Sequence, residues 1–163
     1  MITLTDYTAY FRHIAESHKS ISAFLKLSTK DLGEAGEAVR SANIKPGDMV
    51  MILENFEITQ KAANRDQCFD LATGLFSIFQ AYNPRDKYNL DAIAEVTLKT
   101  CRQIEARMWR DTTKPQYDFI TQLQAGSFEF EPCHAPVLNM FGWRVFFDFS
   151  TWNRIEYNEN DWL

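Results

Sequence analysis

The segment FGWRVFFDFSTWN, Phe141 to Asn153, constrains the fold more tightly than any other part of the chain. Along an extended strand successive side chains point to opposite faces of the sheet. Phe141, Trp143, Val145, Phe147 and Phe149 therefore share one side, and Gly142, Arg144, Phe146, Asp148, Ser150 and Trp152 share the other. Large apolar residues in that alternation demand a core on the first side. The second side should face water, yet it carries Phe146 and Trp152 among its polar groups.

The neighbouring sequence supplies elements to complete such a sheet. Gly126 opens SFEFEP, a strand with Phe128 and Phe130 inward and Glu129 and Glu131 outward, joined to the opening segment through CHAPVLNM. Near the start, Tyr7, Tyr10, Phe11, Ile14, His18 and Ile21 recur at helical spacing, with Thr5 as the expected N-cap. Lys45-Pro46-Gly47-Asp48 marks a turn. MVMILENFEI after it reads as one strand, with Val50, Ile52, Phe56 and Ile58 on one face and Met49, Met51 and Leu53 on the other.

TQKAANRD reads as a loop leading to a strand from Gln67 to Ala81, whose apolar phase shifts after Gly74 and predicts a bulge at Gly74 or Leu75. The two strands are expected to pair as an antiparallel hairpin. Asn89 caps a long helix with Leu90, Ile93, Ala94, Leu98, Cys101, Ile104, Glu105 and Met108 near one stripe. Ala23 to Asn43 reads as a loop with one helical turn or more, and Asp111 to Ala125 fits either a packed loop or another turn of helix.

This order, α-β-β-α-β-β, predicts an α+β fold with an antiparallel sheet of about four strands and helices mainly on one face. The 163 residues are expected to form a single domain, 1–163, with an extended C-terminal tail from about 154. A 45% hydrophobic and 24% charged composition excludes disordered, collagen-like and coiled-coil classes. The formal net charge of -5 and a pI near 5.2 argue against sequence-specific nucleic-acid binding, which draws on clustered Lys and Arg. No stretch has the apolar length of a membrane span, and the N-terminus lacks the pattern of a secretory signal. A cytoplasmic protein with reduced thiols is expected, since Cys68, Cys101 and Cys133 are odd in number and far apart.

Chemistry is sparse in the sequence. Cys133-His134 sets a nucleophile type beside a base type, but neighbours on an extended segment point apart. His13 and His18, five apart on a helix, diverge too widely for one metal site. Gly33-Glu34-Ala35-Gly36 lacks the strand and Lys of a phosphate loop. Glu129 and Glu131 fit a solvated face. No cofactor, metal or catalytic residue is assigned. If helices cover one side of the sheet, some of Met49, Met51, Leu53, Phe76 and Ile78 would lie exposed with Phe146 and Trp152 on the other, more apolar area than a monomer ordinarily exposes. Either the chain's own unassigned segments or another subunit covers it. Trp162 and Leu163 put further apolar groups in the C-terminal segment.

The element order, with TDYTAYFRHIAESHKS at the start and GWRVFFDFSTWN followed by a Trp-containing tail at the close, resembles the tail-terminator and tail-completion proteins of phages, including the cap proteins of phage-derived contractile injection systems. The resemblance implies a non-enzymatic structural assembly protein. It would form a homo-oligomeric ring, in that family often of six copies, that closes a tail tube or joins it to sheath or connector proteins. Its location would be the cytoplasm during assembly and then the virion or tail-like particle. Arg144, Phe146, Trp152, Trp162 and Leu163 are the candidate subunit interface. The alternatives are a small cysteine-dependent enzyme using Cys133 and His134, and a ligand- or peptide-binding module using the open sheet face.

Overall fold

The computed structural model describes residues 3–28, 32–64, 67–114, 116 and 119–152. Its frame is one mixed sheet with three helices. The strands are β1 (Ala23–Lys26), β2 (Met49–Leu53), β3 (Glu57–Asn64), β4 (Gln67–Ala81), β5 (Glu129–Ala135) and β6 (Met140–Trp152). The helices are α1 (Leu4–Ser17), α2 (Leu32–Ser41) and α3 (Leu90–Asp111). The order across the sheet is β1-β2-β4-β6-β5, and β3 pairs with β4 beyond the end of β2.

The long pair of β4 and β6 is the axis of the molecule. Its antiparallel register runs unbroken from Phe69↔Trp152 to Ala81↔Met140, so the bulge expected at Gly74 or Leu75 is absent. The apparent change of phase has another cause: β4 carries buried apolar residues on both faces. Ala72, Phe76 and Ile78 join the core with Val145, Phe147 and Phe149, whereas Phe79 and Ala81 join a second cluster. Gly74 lies opposite Phe147, and a Cβ there would come 2.3 Å from the Phe147 ring. Small residues at positions 72 and 74 make room for the large ones on β6.

The main core lies between the first face of the sheet and helices α1 and α3. Tyr7, Tyr10, Phe11 and Ile14 from α1 meet Cys101, Ile104 and Met108 from α3 above the sheet residues. Both α1 and α3 start on a side-chain cap. Thr3, rather than the expected Thr5, caps α1: its Oγ1 accepts the Asp6 N–H at 3.0 Å and donates to the Asp6 carboxylate at 2.6 Å. Asp6 stands three residues after Thr3, at the capping-box position, but its carboxylate accepts from the Thr3 hydroxyl, where in a capping box it accepts from the backbone N–H of the cap residue. Asn89 caps α3 as expected, accepting from Asp91 and Ala92. The Trp143 indole donates to the Ala94 carbonyl at 2.9 Å and ties β6 to α3.

Several expectations are corrected here. Among the described residues the sheet has six strands, not four, and it is mixed and not antiparallel throughout, because β1 runs parallel to β2. Residues expected to form a loop between Ala23 and Asn43 supply β1 and α2, a β-α-β crossover, as parallel neighbours require. MVMILENFEI is not continuous. Glu54 to Phe56 separate β2 from β3, and the break turns Phe56 onto the core face with Tyr7 and Phe149, at ring distances of 5.2 and 5.7 Å. The expected loop TQKAANRD belongs largely to β3, the outer strand of a hairpin with β4. In the stretch Asp111 to Ala125, by contrast, one of the two expected forms is present: a 3-10 turn, Ile120–Gln122, lets Phe119, Ile120 and Leu123 fill the core.

A candidate interface on the second face of the sheet

Met49, Met51, Leu53, Phe76 and Ile78, expected in part on the open face, are all in the core with Phe147 and Phe149. The residues on the far face of that half of the sheet are Val50, Ile52, Phe79, Ala81 and Met140. These are buried too, with Leu27 from beyond β1 and Val39 from α2. The chain's own segment thus covers one half of the second face. The cover ends before Arg144, Phe146, Asp148 and Ser150, which are all half-buried.

Cross-strand neighbours fix what surrounds Arg144 and Phe146. On β4 they are Ser77 and Leu75, and on β5 Glu131 and Glu129. Paired residues share a face, so Arg144 stands beside Glu131. Its guanidinium also reaches the Glu54 carboxylate at 3.5 Å and lies 5.2 Å from the centre of the Phe146 ring. Farther along β6, Asp148 accepts from the Thr73 hydroxyl at 2.6 Å, and Ser150 accepts from the Gln124 amide at 3.1 Å. The result is a ring set in a row of polar groups that have partners. Of the expected interface residues, the structure brings Arg144 and Phe146 together; Trp152 ends β6, and its side chain, with Trp162 and Leu163, lies outside the described residues.

Beside this surface, between α2 and the turn Pro136–Leu138, runs a groove of about 770 Å³ lined by Val39, Arg40, Ile44, Cys133, Val137 and Leu138. Val137 is 93% exposed, the extreme among the large apolar residues of the described chain. Nothing in the sequence pattern marks this groove, because it forms only when α2 closes over the sheet.

Cys133 and His134 do not face each other. Cys133 pairs with Gly142 on the second face, and His134 pairs with Phe141 on the first. His134 instead meets the Tyr82 hydroxyl at 2.8 Å. Burial pushes the Cys133 thiol up, against the opposing pull of Arg144. A thiol without a base and with a raised pKa is a poor nucleophile. The other histidines are also apart: His13 is exposed, and His18 bonds to Gln103 at 3.1 Å. Among the described residues, no three of His, Cys, Asp and Glu come together as metal ligands would.

The feature that sequence reasoning missed is at the end of α3. Asp111 is fully buried and receives Arg107 Nε at 2.6 Å and the Tyr10 hydroxyl at 3.3 Å on one oxygen, with Lys114 Nζ at 3.0 Å from the other. Burial would raise this carboxyl, but Arg107 and Lys114 more than reverse it and hold it below the usual range. The spacing of Arg107, Asp111 and Lys114 was a visible helical signal, whereas Tyr10 comes from the far end of the sequence.

No family model, no curated protein and no solved structure matches this chain. Among the described residues, no helix is long and apolar enough to cross a membrane.

Proposed function

We propose that this protein is a non-enzymatic structural assembly protein, a ring-forming terminator, cap or connector at the end of a phage-like or contractile-injection tail tube. The observation that supports the reading most is the half of the second sheet face beyond α2. There Phe146 stands half-buried beside Arg144, Glu54 and Glu131. An aromatic anchor with an arginine at its edge is the side-chain chemistry that interface centres favour. The separation of Cys133 from His134 weighs against the enzymatic alternative.

Light scattering and negative-stain imaging test the proposal. A closed ring of several copies that binds the ends of tail tubes or sheaths is expected. A protein that stays monomeric at high concentration and binds neither tubes nor sheaths would overturn it. A second reading, a ligand- or peptide-binding module, draws support from the groove between α2 and Pro136–Leu138. It expects a monomer whose Cys133 and Val137 resonances shift on adding an apolar peptide.

A further inference from the structure

Between the end of α1 and the middle of α3 is a cleft of about 370 Å³, whose polar lining is Ser17, His18, Gln103, Arg107 and Arg110. Its hydrogen bonds determine which groups remain to meet a ligand. The Ser20 N–H donates to His18 Nδ1 at 3.2 Å, so the imidazole proton resides on Nε2. Nε2 then donates to Gln103 Oε1 at 3.1 Å. The Gln103 carbonyl is thereby engaged through one lone pair, and the other end of the same amide is an NH2 donor.

The carbonyls of His13, Ile14, Ala15 and His18 at the end of α1 are engaged as well. The Ser17 hydroxyl donates to the carbonyls of His13 and Ile14, the His18 N–H to Ala15, and the Ile21 N–H to His18. The buried Asp111 holds Arg107 in place through a single N–H, Nε, and a guanidinium carries five. Arg110 Nε is 3.8 Å from Asp111, beyond hydrogen-bond reach, and its side chain is 63% exposed. Arg107, Arg110 and Lys114 thus surround one carboxylate, leaving an excess of positive charge beside a donor-lined cleft.

We propose that this cleft binds an oxyanion, a phosphate or carboxylate group, held by Arg107, Arg110 and the Gln103 amide. The fork of each guanidinium suits such a group in two-point contact. Asp111 is a positioning residue that fixes Arg107 before the ligand arrives.

The test is a titration of the full-length chain with inorganic phosphate, and separately with acetate, at low ionic strength. It is read by 15N NMR at the Arg Nε–H and Gln side-chain amide signals. Saturable shifts are expected at Arg107 and Gln103. The loss of one charge-assisted contact in a partly exposed site should weaken binding about threefold to tenfold in Arg110→Gln and in Gln103→Leu. The control is Arg102→Gln, because Arg102 pairs with Glu105 and lies over Phe130, outside the cleft. It should bind as the unaltered chain does. Shifts that never saturate with either anion, or equal weakening in the control, would overturn the site. Sedimentation in the same titration identifies the source of the anion. Saturable binding that also dissociates an oligomer assigns the cleft to a carboxylate of a second copy. Saturable binding at constant mass assigns it to a small free anion, and either result supports the site.

Discussion

Asp111 occupies the end of α3 where the helix dipole disfavours an anion, and it does so fully buried. Only the surrounding cations make that placement stable. Replacing Asp111 by Asn keeps the shape and removes the charge that answers Arg107. We expect a loss of about 3 kcal/mol at neutral pH in urea unfolding, as for a buried pair broken on one side. The folded carboxyl lies below its ordinary range, so the charge contributes fully above the unfolded value of about 3.9 and is lost as pH falls through the folded value. The gap between the two proteins should therefore close in acid and stay constant above about pH 5. A gap that widens in acid would show that Asp111 is not held as a carboxylate. The cysteines give a second measurement at this scale. Cys101 is fully buried and its thiol is pushed up to about 12 by desolvation, while Cys133 is half-buried. Alkylation followed by peptide mapping should label Cys133 slowly and Cys101 only on unfolding; labelling of Cys133 at the rate of a free thiol would revive a catalytic role.

Two glycines, Gly74 on β4 and Gly142 on β6, set the closest approaches among the elements, and their substitutions should differ in kind. At Gly74 the three atoms nearest an added Cβ all belong to the Phe147 ring, so Gly74→Ala should cost about 1–3 kcal/mol, and Phe147→Leu in the same chain should recover part of it. At Gly142 the added Cβ would lie 1.9 Å from the Ile78 carbonyl oxygen and 2.8 Å from the Phe79 Cα. No side-chain replacement can relieve a clash with backbone. Gly142→Ala should open the β4·β6 pairing and give insoluble protein, detected by loss of the cooperative thermal transition. Rescue of both variants by Phe147→Leu would contradict this geometry. The same strands show what could be read in the sequence. The alternation of β6 was plain because one face is wholly apolar from Phe141 to Phe149. Strand β1 has four residues of equal, partial burial, so it carries no period; α2 contains Gly33 and Gly36, which lower helix propensity. β3 resembled a loop because its polar residues Thr59, Gln60 and Lys61 are exposed, and its strand state comes from pairing with β4. Arg144 and Phe146 could be placed on one face by counting. Their distance from the cover of α2 could not, since α2 itself had no legible signature.

At the scale of the molecule, both apolar clusters are built from the chain's own described elements. Folding of the subunit and its assembly should therefore respond separately to substitution. Phe146→Ala removes a half-buried aromatic side chain and should cost the subunit about 1–2 kcal/mol, while reducing the proposed ring to monomers. Arg144→Glu places a third carboxylate beside Glu54 and Glu131, so repulsion should block assembly, and raised salt should restore part of it by screening. Circular dichroism and urea unfolding follow the subunit, and light scattering follows the oligomer. A pair of folded, monomeric variants from a ring-forming parent would locate the contact on this half of the sheet. Variants that assemble like their parent would remove the second face as the contact. Assembly would then have to use another surface, and the exposed Val137 beside the groove is the apolar group of the described chain best placed to supply it.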